Sequence, residues 1–376
     1  MDIKKYILSI SLSTLLLTPL HATTEEGEAA YNQQHYEKAF LLLSDEAAKG
    51  DAKAQYLLGK MYYYGQGVSY NADKTEQLLL ASANQGNVDA MVLLAGFYWY
   101  QETPDGYSKA LSWYQKAAAQ NNPDAEYALG YMYDHGTGVA QNYDTALNWY
   151  KKAATHGNSE AALSIGFMYD TGTGVPKDLN EALKWYRQAA DQGNPGAMYN
   201  LGLLYKFGEG LPKDEAKAFE YFQKAADKGH AKSQLEVGYF YDSGKAGTTD
   251  LQKAAYWYQK SADQGNANAQ FNIGDMYLYG DGVTKNLEQA VSWIRKSAEQ
   301  GYARAQNKMG VFYRDGIGVT ANPVEAYAWF TAAAANGFSD SGKYRDELEK
   351  TLTPEQLQQA KDLGKKYSDE YKSEQQ

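Results

Sequence analysis

The chain has 376 residues, 44% of them hydrophobic, and carries 36 Lys and Arg against 46 Asp and Glu, a formal net charge of −10 at pH 7. An acidic surface repels phosphate backbones, so nucleic acid is not an expected partner. With no cysteine there is no disulfide framework, thiol nucleophile or cysteine-based zinc site, and the sequence calls for no cofactor.

Taken in order, the chain begins with Lys4 and Lys5 before an apolar run, Ile7 to Leu17, that is too short to span a bilayer. Pro19-Leu20-His21-Ala22 then offers a small residue at a cleavage point. Residues 1–22 read as a signal peptide cut after Ala22, which predicts an exported protein, periplasmic in the first instance or secreted, with no transmembrane segment after cleavage. Residues 23–53 read as an N-terminal capping hairpin, with helices predicted over Glu25–Gln33 and Tyr36–Ala48 and an end at Gly50.

From residue 54 to residue 338 one unit recurs. Its regular form is Ala125 to Asn158: Ala125, Leu129 and Tyr133 stack on one helix face, and Gly136-Thr137-Gly138-Val139 breaks the helix. Ala146, Trp149, Tyr150, Ala153 and Ala154 form the apolar stripe of a second helix, which predicts a buried Trp149, and Gly157 ends it. The Gly130 position recurs at Gly59, Ala95, Gly166, Gly202, Gly238, Gly274 and Gly310, 36 residues apart except for one step of 35. A tyrosine follows three residues later in every copy, from Tyr62 to Tyr313. Fixing the backbone costs about 1–2 kcal/mol per residue, while each buried Trp or Tyr returns roughly 1.5–3 kcal/mol. A single unit cannot stand alone, so the repeats must stack, and an all-α, α/α superhelical solenoid of about eight repeats follows.

Three copies depart from the pattern. Leu78 and Leu79 replace the Trp-Tyr pair of repeat one. Repeat two has Ala95 for glycine and Gln101 to Gly106 for the glycine loop, which is expected to alter local curvature. In repeat six Gly244-Lys245-Ala246-Gly247 stands where Gly-x-Gly-Val is usual. Asn122-Pro123, Asn194-Pro195 and Asn322-Pro323 are helix starts. Thr353-Pro354-Glu355-Gln356 opens a last helix within the C-terminal segment 339–376, and Tyr367 to Gln376 reads as a frayed polar tail.

The pattern A-x3-[LI]-G-x2-Y-x2-G-x-G-V, followed by A-x2-W-Y-x-K-A-A-x2-G, resembles the Sel-one-like repeat family, a subclass of tetratricopeptide-type hairpins. The resemblance implies a helical scaffold for protein partners without catalysis of its own. It names no partner.

Positions two, six, nine and ten residues after the starting alanine vary between copies and share one helix face, the predicted inner face of the solenoid. The first row holds Tyr56, Tyr127, Tyr199 and Phe271, the second Tyr131, Phe167 and Tyr239, and the third Trp99, Asp134, Asp170, Lys206 and Asp242. Tyrosine joins an apolar ring to a polar tip, which suits recognition, so a protein or peptide partner is expected on Tyr127, Tyr131, Asp134, Phe167, Asp170, Tyr199, Lys206, Tyr239 and Asp242. Cell-wall glycan and, for a secreted effector, a host protein are the alternatives. The first row is equally open to core packing, and the aspartates to local hydrogen bonds from the following loop. His135, His156 and His230 occupy non-equivalent positions beside glycines and read as solvated helix ends, with no metal-ligand spacing. No catalytic residue is assigned, and the expectation is that the chain is not an enzyme.

Overall fold

The computed structural model describes residues 23–245 and 247–372; the leader read over 1–22 lies outside the described residues. Among the described residues the chain is all α-helix, with no strand. It divides into two compact units between Ala161 and Ala162, inside one helix.

The first unit holds α1 (Thr24–Asn32), α2 (Tyr36–Ala48), α3 (Ala52–Tyr64), α4 (Ala72–Asn84), α5 (Val88–Trp99), α6 (Pro104–Ala118), α7 (Pro123–His135), α8 (Tyr143–Thr155) and the first residues of α9 (Ser159–Thr171). The second holds the rest of α9 and α10 (Leu179–Asp191), α11 (Pro195–Phe207), α12 (Glu215–Asp227), α13 (Ala231–Asp242), α14 (Leu251–Asp263), α15 (Ala267–Tyr279), α16 (Leu287–Glu299), α17 (Ala303–Asp315), α18 (Pro323–Ala335), α19 (Asp340–Glu349) and α20 (Pro354–Glu370). Within each unit consecutive helices pack as antiparallel hairpins, and each hairpin packs on the next, the α/α solenoid arrangement.

Two glycine positions set the packing. The mid-helix glycine makes room for a ring of its hairpin partner: a Cβ on Gly166 would lie 2.5 Å from the Tyr186 ring, and one on Gly202 2.5 Å from Phe222. The second loop glycine carries the stack from repeat to repeat. A Cβ on Gly210, which has φ of +71°, would lie 2.7 Å from Leu179 at the start of the preceding repeat's second helix. The loop then closes on the repeated tyrosine: the backbone N–H of Asn142 donates to the Tyr133 carbonyl at 2.8 Å, and that of Asn286 to Tyr277 at 2.9 Å.

Polar ladders stitch the turns. Gln234 donates to the Ala226 carbonyl of the preceding repeat at 3.2 Å and accepts from Gln264 at 2.7 Å; Gln270 and Gln300 repeat the arrangement. In repeat three the same rung is Glu126, buried, with its carboxylate 2.7 Å from His156 Nδ1.

The predicted starts hold at Asn122, Asn194 and Asn322, whose side chains accept from the first-turn N–H groups, and at Thr353, which forms a capping box with Gln356. The chain end differs from its reading. A further helix, α19, precedes the last one, and Tyr367 and Tyr371 are packed rather than frayed. Their rings lie 4.6 and 5.5 Å from Trp329, and the Tyr367 hydroxyl donates to Glu325 at 3.0 Å. An exposed last repeat would leave the Trp329 ring in water, and α20 covers it.

Candidate functional site

The first row is a packing row with one open edge. Tyr127 lies 5.7 Å from the Tyr150 ring, Tyr199 5.8 Å from Phe222 and 5.0 Å from His230, and Phe271 5.4 Å from Tyr302. Tyr56 packs on the core with Lys60 above it, and burial pushes its hydroxyl up to about 12. The second row is exposed. Tyr131 keeps 36% of its surface open to solvent, Phe167 54% and Tyr239 42%, although each stands one residue from a glycine that is sealed into a hairpin.

In the third row the aspartates have a structural bond, from an unexpected donor. The Tyr150 hydroxyl donates to Asp134 at 3.1 Å, Tyr186 to Asp170 at 3.2 Å and Tyr258 to Asp242 at 3.2 Å. The donor is therefore the second-helix tyrosine sixteen residues on, while the loop contributes Gln141, which donates to the Asp134 backbone carbonyl at 2.7 Å, and Lys177, whose ammonium lies 4.0 Å from the Asp170 carboxylate. Burial, and then the neighbouring carboxylate, hold the Tyr186 and Tyr258 hydroxyls well above the ordinary tyrosine range. Lys206 is paired with Glu236 of the next repeat at 2.7 Å and lies over the Tyr239 ring at 5.6 Å.

The histidines are more engaged than their position suggested. His135 stacks on Tyr131 at 3.9 Å and bonds its backbone carbonyl, His156 holds buried Glu126, and His230 caps α13. His156 and His230 have a partner, Glu126 and the Tyr199 ring, that a helix end reaches only after the hairpins stack, while His135 finds its own one turn back in α7. Trp149 is half-buried, with Lys152 over its ring at 4.2 Å, while the neighbouring Tyr150 is fully buried and fills the core. Its indole lies along the outside of the hairpin, where a lysine one turn on can cover it.

The first unit holds an aromatic-lined cleft of about 300 Å³ between α5 and α7. Its origin is readable in two residues. Where repeat three has Gly130-Tyr131, repeat two has Ala95-Gly96. Ala95 is fully buried at the position that seats a ring in repeat three, and Gly96 leaves out the side chain that Tyr131 supplies there. The Tyr114 hydroxyl comes to lie beneath Gly96, 3.8 Å from where a Cβ would stand. In the third row, where repeat three has Asp134 to receive such a hydroxyl, repeat two has Trp99. Tyr114 consequently has no hydrogen-bond partner among the described residues, and burial pushes it up to about 12. Trp99 and Tyr131 meet edge to face at 5.9 Å in the wall, and Tyr127, Tyr100 and Asp124 complete it. The structure thus brings Tyr127 and Tyr131 to one site with Trp99. The sequence reading named those three residues and missed Tyr114 and Gly96, whose signal was a glycine standing one position later than in the other repeats.

No group of three or more His, Asp or Glu that could hold a metal ion occurs among the described residues, and no described helix is long and apolar enough to cross a membrane. Twenty helices among the described residues, paired and stacked at a fixed period, define a helical-repeat scaffold. The chain belongs to the Sel1 repeat family: the family model matches residues 52–87, 88–122, 123–158, 159–194, 195–230, 231–266, 267–302 and 303–338. The family is generally non-enzymatic and typical of protein–protein interaction.

Among solved structures, a Sel1 repeat protein from Oxalobacter formigenes is similar at 30% identity, covering 85% of this chain and 91% of that one with a TM-score of 0.62. The protein c5321, a protective antigen of uropathogenic Escherichia coli, is similar at 32% identity over 92% of this chain and 85% of its own, with a TM-score of 0.51. Among curated proteins, the Arabidopsis thaliana ERAD-associated E3 ubiquitin-protein ligase component HRD3B is 29% identical over 33% of this chain and 20% of its own length. The chain spans about a fifth of the length of the curated relatives it matches.

Proposed function

We propose that the chain is an exported scaffold that binds a protein or peptide partner on the face formed by the variable positions of its first helices, and that it does so without catalysis. The observation that carries the reading is the second row. Phe167 and Tyr239 stand largely exposed at the same repeat position, while the hydrophobic residues beside them are sealed into hairpins. Large aromatic side chains bury much area on binding at little cost in rotamer freedom, and they recur as interface anchors. That relatives include a protective antigen of uropathogenic Escherichia coli and a component of a ubiquitin-protein ligase fits a scaffold role. Export rests on the Lys4-Lys5 and Ile7–Leu17 pattern.

A photoreactive phenylalanine analogue placed at position 239, and in a control at position 256 on a second helix, tests the reading in a cell-envelope fraction. A discrete protein adduct from position 239 alone is expected; equal adducts from both positions would mean that the first-helix face is not the partner surface. Adducts of glycan fragments in place of protein would also overturn it. For export, an N-terminus at Thr23 on protein recovered from the periplasm or medium is the expected result, and Met1 on cytoplasmic protein the contrary one.

A further inference from the structure

We infer that the cleft between α5 and α7 receives a cationic side chain, the arginine or lysine of a partner polypeptide, an inference that rests on the protein-binding reading and gives it a chemical specificity. The walls are π faces and edges from Trp99, Tyr100, Tyr127 and Tyr131, and ring faces carry negative electrostatic potential. The single charged residue lining the cleft is Asp124, exposed at the rim and held by the Asn158 side-chain amide at 2.9 Å. At the floor the Tyr114 side chain, nine-tenths buried, offers a hydroxyl oxygen that no described residue engages. A cation with N–H donors satisfies all three at once: rings along the methylene stem and charge, an acceptor at the tip, and a carboxylate at the entrance.

The rest of the chain supports the assignment by contrast. On three second helices the chain covers a tryptophan ring with its own lysine, Lys116 over Trp113 at 3.7 Å, Lys152 over Trp149 at 4.2 Å and Lys296 over Trp293 at 4.1 Å. Among the described residues no lysine or arginine lies over Trp99, Tyr100 or Tyr131. The chain's net charge of −10 also favours a basic partner over an acidic one. The volume suits one long side chain rather than a whole folded ligand.

The test uses the full chain labelled with ¹⁵N at tryptophan, with the Trp99 indole resonance assigned through Trp99→Phe. Capped Gly-Arg-Gly and its citrulline counterpart, which keeps the shape and loses the charge, are titrated in low salt. The arginine peptide is expected to shift the Trp99 resonance and the citrulline peptide to bind about fivefold more weakly or worse. Gly96→Phe, which supplies the aromatic that Phe167 has at the same repeat position, should fill the cleft and abolish the shift without lowering the melting temperature. Tyr114→Phe removes only the floor hydroxyl and should weaken arginine binding several-fold. Equal binding of the two peptides, no shift with either, or unchanged binding by Gly96→Phe or Tyr114→Phe would overturn the inference. The crosslink from position 239 is read separately: success there beside a silent cleft leaves the protein-binding reading standing and removes the cationic pocket.

Discussion

Repeats two and three place their mid-helix glycine one position apart and differ again where Trp99 stands for an aspartate, and the difference separates a packed hairpin from a hairpin with a site. In repeat three Gly130 yields to the Tyr150 ring, Tyr150 reaches Asp134, and Tyr131 stands above them exposed. In repeat two Ala95 occupies the ring's place, Gly96 leaves the row above empty, and Tyr114 is left with its hydroxyl toward a cleft. A repeat protein can therefore acquire a cavity without disturbing its helices. Here a glycine moved by one position and a tryptophan in place of an aspartate accompany it.

The comparison can be broken most severely at Tyr150. Tyr150→Ala empties the seat that Gly130 makes and should cost about 3–5 kcal/mol, measured by urea unfolding. Trp149→Ala, next to it but half-buried, should cost clearly less, and an equal loss would mean that the outer ring is as much core as the inner one. Next in size, Gly130→Ala should cost about 1–3 kcal/mol, because its Cβ would overlap the Tyr150 ring. The reciprocal Ala95→Gly in repeat two meets no ring and should cost only about 0.5–1 kcal/mol of helix propensity. Equal losses from the two changes would show that the glycine position does not decide ring placement.

Smaller effects sharpen the account. His156→Ala leaves the Glu126 carboxylate buried without its partner; the histidine is about one third exposed, so solvent screening limits the cost to about 1–2 kcal/mol. Replacing both residues with glutamine restores the rung found at Gln234 and Gln264 and should recover the melting temperature.

Alkaline pH gives the last test. Tyrosine ordinarily ionises near 10, and burial beside an aspartate raises Tyr186 and Tyr258 above that value. Below pH 10 both folded and unfolded chains keep the proton and this contribution is complete; above it only the unfolded chain ionises, so stability falls as pH rises. Tyr186→Phe should reduce the slope of the melting temperature above pH 10, and an unchanged slope would place that hydroxyl in contact with solvent.

Much of this architecture was legible because repetition within one chain separates positions that packing fixes from positions it leaves free. The helices, the asparagine starts and the exposed row of Tyr131, Phe167 and Tyr239 follow from that alone. What it could not reveal was which atom meets which. Asp134 and Tyr150 are sixteen residues apart, and nothing in the period says that the acceptor is filled from the second helix rather than from the loop. His156 reads as a helix end, and nothing in the sequence marks Glu126, thirty residues earlier, until stacking puts its carboxylate inside. The packed tail needed Trp329 as a surface to be covered, a property of the last repeat rather than of the tail. Ala95 was visible as a departure, but the consequence of the side chain missing at Gly96 is a shape, and shape appears only once the neighbours are in place.

The central claim is that the exposed first-helix aromatics serve a partner while the sealed positions serve the fold. The most direct measurement is made on one variant, Phe167→Ala/Tyr239→Ala, by following partner capture from a crosslinked envelope fraction and thermal unfolding side by side. The account predicts that capture is lost while the melting temperature stays within a degree or two of the parent, since exposed side chains contribute little to stability. Capture at the parental level by a folded double variant would contradict it.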